Sequence, residues 1–523
     1  MKTKLLLFLL AFVIVNVNAQ QVIYNTSGNP SSFIKFNDKI FFEAYNQDSG
    51  SEIWQSDGTS SNTSILKDIY PGSESGSQNF LKTTSTILKD KLYFIAKDEN
   101  SLGEIWKTDG TANGTTKVTN FLNGRVWRLT AAGDYIYFLI TQDNNTLQVW
   151  KTDGTEGGTV LVKDNLSIWN GPTFQGKCND IFIFTFQPYG TNNTKVWRSS
   201  GTADGTYPIT EELDGNGSGV GGTSALSQYI EFNNKLYFVS RLYLHETDGT
   251  SQSIIGNVQS NMTTYSDAIV ANDNLYFMFF SEDNNSLSVW KFDKKDRSIG
   301  QIYTNYGSNY FSPSNFAKTN DALLFSGSNP TGGTSLISLD LATNEASYLK
   351  ELSDNKTEKP FLFTENLDRN TISLINNDQY FITSAIDKNY ARKGWITNIT
   401  AKTTENIADL NDVWGSISHG DYLYYIKDSK FMKYAKNLGT GSIIDYKRSL
   451  VLYPNPSSNF IQIEANDIDL IESINVFDLS GKEVINRSDY SNGKIDISKL
   501  SQGTYIFRIK LNGAFIEKKI IKR

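Results

Sequence analysis

Glu104-Ile105-Trp106-Lys107-Thr108-Asp109-Gly110-Thr111, followed by Gly114-Thr115, is the stretch from which the fold can be read. Its apolar and aromatic residues suit a pleated, half-buried strand. Asp-Gly then makes a tight reversal, because Gly accepts a positive φ and Asp bonds its own backbone. The run returns at Glu52 to Thr59 with Trp54, Asp57 and Gly58, and at Gln148 to Thr155 with Trp150, Asp153 and Gly154. Lys195 to Thr202 keeps Trp197 but carries Ser200 in place of Asp. In a fifth copy His245 stands where Trp stood, three residues before Asp248-Gly249-Thr250, and in a sixth Trp290 precedes Asp293 by the same three. Ile337 with Asp340, and Trp395 with Asn398, are fainter copies. Measured on the Asp position, the copies from 57 to 340 are 44 to 52 residues apart.

Ahead of each copy lies a second element, Asp-x-apolar-aromatic-Phe. It reads Asp38 to Phe42, Asp90 to Phe94, Asp134 to Phe138, Asp180 to Phe184, Asn234 to Phe238, Asp273 to Phe277 and Asp321 to Phe325. Weaker forms are Asp378 to Ile382 and Asp421 to Tyr425. With a strand before it, such as Ser32 to Phe36, and one after the Gly turn, such as Thr159 to Lys163, each unit has four antiparallel strands. Such a sheet cannot shield both faces alone, and stacking around an axis buries them and removes free edges. The expectation is an all-β chain: a β-propeller of about eight blades (seven to nine) over residues 20–446, followed by a small Ig-like β-sandwich. Nine anchors against a usual maximum of eight leave eight preferred and nine open. Gln21 to Asn25 is the candidate strand that latches the last blade.

The Glu104–Thr111 run with Gly114-Thr115 resembles the ELWxxDGT repeat of bacterial exported proteins, and Gly158-Thr159 and Gly205-Thr206 repeat its second half. The resemblance is strong over residues 45 to 255 and fades after 300. It implies a propeller-like body and says little of function.

Both ends of the chain read as addresses. Lys2 and Lys4 precede an apolar run from Leu5 to Val15, and Val17-Asn18-Ala19 offers compact residues to a signal peptidase. Residues 1–19 are therefore expected to be a secretory signal cut between Ala19 and Gln20. No later stretch approaches 18 apolar residues, so no transmembrane helix is expected in the mature chain. After a linker at 447–451 the texture changes. Residues 452–523 alternate apolar and polar, with turns at Leu479-Ser480-Gly481-Lys482 and Asn512-Gly513, as a small sandwich does. Pro454-Asn455-Pro456, Asp478 to Lys482, Leu500 to Tyr505 with Gly503, and the Lys518-Lys519-Ile520-Ile521-Lys522 ending closely resemble the type A C-terminal sorting domain of the type IX (Por) secretion system of Bacteroidetes. That resemblance implies the type IX secretion machinery and its surface sortase as partners. It also implies passage through periplasm and outer membrane, and a body released or joined to lipopolysaccharide.

Composition narrows the chemistry. The formal net charge of −7 and the lack of a basic stripe speak against nucleic acid. Cys178 is the single cysteine, so no internal disulfide forms, and a small buried side chain is its ordinary role. Two histidines, His245 and His419, exclude a His-rich zinc site and supply a Ser-His-Asp triad poorly. The repeated aspartates invite calcium, but one carboxylate per loop is a poor donor set and turn formation is the stronger reading. No cofactor is expected. The repeated tryptophans suit inter-sheet packing, whereas Trp127, Trp169, Tyr189, Tyr243 and Trp414 fall outside the repeat and are the candidate ligand aromatics. A glycan- or protein-binding module is the expected role. The alternatives are an exported carbohydrate-active or other hydrolytic enzyme on the same scaffold, and a structural envelope protein.

Overall fold

The computed structural model describes residues 19–27, 31–77, 84–121, 125–142, 145–191, 194–209, 229–240, 243–250, 252–257, 264–281, 286–306, 316–319, 321–328, 334–353, 361–362, 373–375, 378–386, 392–398, 403–407, 410–411, 416–420, 422–435, 451–464, 471–487, 494–511 and 514–523. The signal segment before Ala19, the linker up to residue 450 and Trp414 lie outside the described residues. Residues 20–434 form one compact unit and residues 435–523 belong to a second.

The larger unit is built from four-stranded antiparallel sheets laid out in chain order. The first runs Ser31–Phe36, Lys39–Asn46, Gly50–Ser56 and Ser64–Ile65. The two sequence elements are cross-strand partners in it: Phe42 lies opposite Trp54. The same pairing recurs as Phe94 with Trp106, Phe138 with Trp150, Phe184 with Trp197, Phe238 with His245, Phe277 with Trp290 and Phe325 with Ile337. An aromatic pair across two strands stabilises a sheet beyond its buried area. In the fifth sheet the imidazole of His245 stacks on Phe238 at 4.9 Å and takes the place of the indole.

Each sheet buries its face against the next. Ile34, Phe41 and Ile53 meet Leu92 and Phe94 of the second sheet. Ile105 of the second meets Ile136 and Phe138 of the third, and Tyr137 and Val149 of the third meet Phe182 and Phe184 of the fourth. Ile183 and Val196 meet Leu236 and Phe238, and Tyr237 and Leu244 meet Leu275 and Phe277. Met278 and Val289 meet Leu324 and Phe325 of the seventh sheet. Phe42 and Phe94 are almost wholly enclosed, and each such side chain contributes about 2–3 kcal/mol of burial.

The series closes on itself. The last sheet holds Ser416–His419, Tyr422–Lys427 and Lys430–Ala435, and its fourth strand is Ala19–Asn25 from the other end of the chain. Thr26 continues the seam, donating from its N and Oγ1 to the carbonyl oxygen of Ser429. Ile23, Ile417, Tyr424 and Phe431 then pack on Phe33, Ile40, Phe42 and Trp54 of the first sheet. This is a β-propeller, held shut by a latching strand.

Among the described residues the unit holds six four-stranded sheets, one five-stranded sheet and one eight-stranded sheet that joins the third and fourth repeats; the sequence preferred eight blades within a range of seven to nine. The third and fourth share one 19-residue strand, Val160–Cys178, whose first half pairs with Thr146–Thr152 and whose second half pairs with Ile181–Pro188. The ninth is faint in sequence for a physical reason. Its fourth strand comes from the N-terminus, so no Asp-Gly turn is needed there.

The C-terminal unit has two sheets. One contains Val451–Tyr453, Phe460–Glu464 and Lys494–Asp496, the other Glu483–Arg487, Ile471–Asp478, Gly503–Leu511 and Ala514–Lys522. Ile461, Ile463 and Ile495 of the first share a core with Val476, Phe507 and Ile509 of the second, which makes a sandwich.

Candidate functional site

Antiparallel order gives every propeller sheet two ends. One carries the turns within strand pairs one–two and three–four; the other carries the connections between strands two and three and between sheets.

At the turn end the repeat motif is a hydrogen-bonded knot. Asp109 Oδ1 accepts from the backbone N of Thr111 at 2.9 Å and from its Oγ1 at 2.7 Å. Asp57, Asp153 and Asp248 do the same with Thr59, Thr155 and Thr250. The Thr111 hydroxyl, then its N–H, hold the Asp109 carboxyl below the usual carboxylate range, and Thr155 does so for Asp153. The carboxylates thus serve their own turns. Two further residues complete the knot and went unremarked in the sequence. Thr108 Oγ1 accepts from the N of Gly110 and lies 2.8 Å from Thr115 Oγ1, and Ser56 with Thr63 and Ser199 with Thr206 repeat the arrangement at 2.7 Å.

The turn glycine also docks one sheet on the next. Gly58, Gly154 and Gly249 have φ of 90°, 91° and 87°. A Cβ on Gly154 would lie 2.1 Å from Tyr93 Oη of the preceding sheet, and one on Gly58 would lie 2.0 Å from Tyr424 Oη across the seam. Gly110 faces Phe41 in the same manner, at 3.7 Å. At Gly58, Gly110 and Gly154 the aromatic of one sequence element therefore seats on the glycine of the other, one repeat along, whereas Gly249 meets Ile181 at 3.1 Å.

At the crossover end the first residue of the Glu-x-Trp run holds the following connection. Glu104 accepts from Thr119 Oγ1 at 2.5 Å and from the N of Phe121 at 2.6 Å. Glu52 Oε1 accepts from the N of Gly76 at 3.0 Å and of Tyr70 at 3.2 Å, while its buried Oε2 has no partner. Both side chains are enclosed, and burial raises both carboxyls, Glu52 to about 7.

The repeat tryptophans line the inter-sheet clusters. Trp54, Trp106 and Trp290 are buried, and Trp150 and Trp197 pack partly buried. The irregular aromatics lie elsewhere. Trp169 sits where the long strand crosses from the third sheet to the fourth, and Tyr189 sits in the connection between strands two and three of the fourth. The N of Tyr189 donates to the carbonyl of Ser167, which brings the two rings to 5.5 Å with planes 41° apart. They are 60% and 64% exposed, which sets them apart from the enclosed repeat tryptophans. Trp127 lies beneath the crossing: its indole N donates to Thr141 Oγ1 at 3.1 Å, and a Cβ on Gly171 would come within 3.0 Å of its ring. Its ring thus packs against the crossing segment. Tyr243 opens the third strand of the fifth sheet at the same end. Thus Trp127, Trp169 and Tyr189 come together at one place.

In the sandwich the Pro454-Asn455-Pro456 segment fastens onto the last strand. Asn455 Nδ2 donates to the carbonyl of Lys519 at 3.0 Å, and its Oδ1 accepts from the N of Ile521 at 2.9 Å. Ser457 bridges Lys522 in parallel. The Asp478–Lys482 turn is closed by Asp478 Oδ1, which accepts from Ser480 and Lys482, with Gly481 at φ 84°. Tyr505 Oη donates to the carbonyl of Ser501 and fixes the approach to the Gly503–Leu511 strand. Lys518 and Lys519 lie opposite Phe507 and Ile506. No helix among the described residues is long and apolar enough to cross a membrane.

Among solved structures, the chain is similar to a prolyl endopeptidase, at 10% identity and TM-score 0.39 over 72% of this chain and 55% of that one. It is similar to an oligogalacturonate lyase in complex with manganese, at 8% and 0.37 over 81% and 97%. A third is the β-propeller domain of the Trilobed protease from Pyrococcus furiosus, at 13% and 0.33 over 62% and 97%. The chain spans little more than half the length of the prolyl endopeptidase it matches. No curated protein matches the chain. Residues 451–523 match the family described as the secretion system C-terminal sorting domain, which indicates export by the type IX machinery to the cell surface or the medium.

Proposed function

We propose that this chain is an exported recognition protein that binds a glycan at the crossover end of its third and fourth propeller sheets. One observation carries this: Trp169 and Tyr189, from separate connections, form a tilted pair of exposed rings. Paired exposed aromatics on a soluble body lose hydration favourably to a ligand. The C–H face of a pyranose fits a ring face, and the indole N–H and phenol O–H remain for its hydroxyls. Trp127 beneath the crossing pre-organises the pair, which lowers the ordering cost of binding. The buried carboxylates Glu52 and Glu104 are engaged by loop donors, so neither supports the hydrolase alternative.

Residues 1–19 then serve as the export signal, and cleavage after Ala19 leaves the latching strand at the new N-terminus. The surface sortase removes the tail beyond the 447–451 linker, and the body is an ELWxxDGT-repeat protein.

The test uses the mature chain on an array of host, plant and bacterial glycans, followed by titration with the best binder. Trp169→Ala is expected to weaken binding at least about tenfold, or roughly 1.4 kcal/mol, and Tyr189→Ala somewhat less. Neither should move the melting temperature, since both rings are exposed. Unchanged affinity in both variants, or an array with no binder, would remove the glycan reading.

A further inference from the structure

The repeat itself points to a second site, at the opposite end of the sheets and independent of the glycan reading. In the sixth sheet Lys291 follows the repeat Trp, and Asp293, two residues on, meets its Nζ at 2.8 Å. In the fourth sheet Arg198 holds the position of Lys291, but Ser200 stands where the Asp belongs. Arg198 alternates with Val196, which packs against the fifth sheet, so its stem runs into the seam between sheets four and five. The side chain is only 8% exposed, and its Nε is buried without a hydrogen-bond partner. Its guanidinium lies 5.2 Å from the ring of Tyr207, its partner on the next strand. Tyr207 and Ser200 are both open to solvent, so the place can be reached from outside.

A desolvated cation is costly unless paired. The guanidinium fork is matched by a planar carboxylate, which it can bind through two parallel N–H donors. Among the copies with a cation after the repeat Trp, at Lys107, Lys151, Arg198 and Lys291, that of Arg198 alone lacks the carboxylate two residues on. We propose that Arg198, beside the Ser200 turn and over the Tyr207 ring, is a binding site for a carboxylate supplied by another molecule.

The probe is acetate, compared with chloride at equal ionic strength, in thermal unfolding of the full chain. The wild type is expected to melt a few degrees higher in acetate, because a ligand of the folded state alone stabilises it by mass action. Ser200→Asp places the carboxylate within the chain. It should melt higher than wild type in chloride and gain nothing from acetate. Arg198→Met should also lose the acetate increment, and Trp169→Ala should keep it, so failure here and failure of the glycan reading are separable. Glucuronate and N-acetylglycine, run as parallel arms, distinguish a sugar acid from a peptide terminus; a larger shift with either supports the site. Equal melting of the wild type in acetate and chloride, or an acetate increment that survives in both Ser200→Asp and Arg198→Met, overturns it.

Discussion

Gly154→Ala is expected to cost about 2–4 kcal/mol of unfolding free energy, from left-handed strain plus overpacking. At φ 91° the new methyl is strained before any contact is counted, and it would sit 2.1 Å from Tyr93 Oη of the preceding sheet. That hydroxyl is not free to move away, because Tyr93 lies buried in the core between the second and third sheets. Gly72 is the control. Its φ is 95°, but a Cβ there meets nothing within 4 Å, so Gly72→Ala should cost only the backbone strain, about 1–2 kcal/mol. The excess at Gly154 measures how tightly successive sheets dock. Tyr93→Phe removes the nearest obstructing atom and leaves ring carbon Cζ at 2.9 Å, so Gly154→Ala in that background should lose less, a coupling that a double-mutant cycle reads directly. Urea unfolding of the four variants supplies the numbers. Equal losses at Gly154 and Gly72, or no coupling to Tyr93, would mean that the glycine serves its turn and not the interface.

That coupling explains why the fold was so legible. Two short motifs recur, and each is needed twice: Phe94 and Trp106 face each other across one sheet, while Tyr93 seats on Gly154 of the next. A pattern that answers both to strand pairing and to docking is repeated wherever the geometry repeats. The Asp-Gly-Thr reading as a turn device follows from local chemistry, with bonds spanning two residues.

What escaped was non-local or irregular. Glu52 and Glu104 look like ordinary surface acids at the head of a strand. Their partners, Gly76 and Phe121, lie 24 and 17 residues further on in connections without a pattern. Trp169 and Tyr189 could be named as aromatics outside the repeat. Their meeting depends on a strand that changes sheets through two register shifts. Trp127 is equally eligible as a ligand aromatic by sequence, and its approach to Gly171 under the crossing is a contact that no spacing announces. Arg198 was visible merely as a residue beside a degraded motif. Its significance comes from the seam it enters.

Glu52 is expected to make stability fall as pH rises toward neutrality. Burial is the main cause of its raised pKa, and three backbone donors, of Tyr70, Ile69 and Gly76, offset it only in part, with Asp68 adding repulsion. The folded carboxyl titrates at about 7 against an ordinary 4.5. Between those values the folded chain holds a proton that the unfolded chain has released, so stability falls as pH rises through this window. The favourable contribution is intact below about 4.5 and gone above about 7, a swing of roughly 3 kcal/mol at 1.36 kcal/mol per unit. Glu52→Gln keeps an acceptor for Gly76 and Tyr70 but cannot ionise. Its stability relative to wild type should therefore improve by roughly 3 kcal/mol between pH 4.5 and pH 8, while other titrating groups cancel in the difference. The variant can be the weaker protein at pH 5, where wild-type Glu52 is mostly neutral and the new amide N–H lacks a partner beside it. At pH 8 the order should reverse or the gap close. Urea unfolding curves for the two proteins that stay parallel from pH 5 to pH 8 would show that Glu52 is charged in the fold throughout, and that the connection at 66–77 is held by an ion and not by a neutral acid.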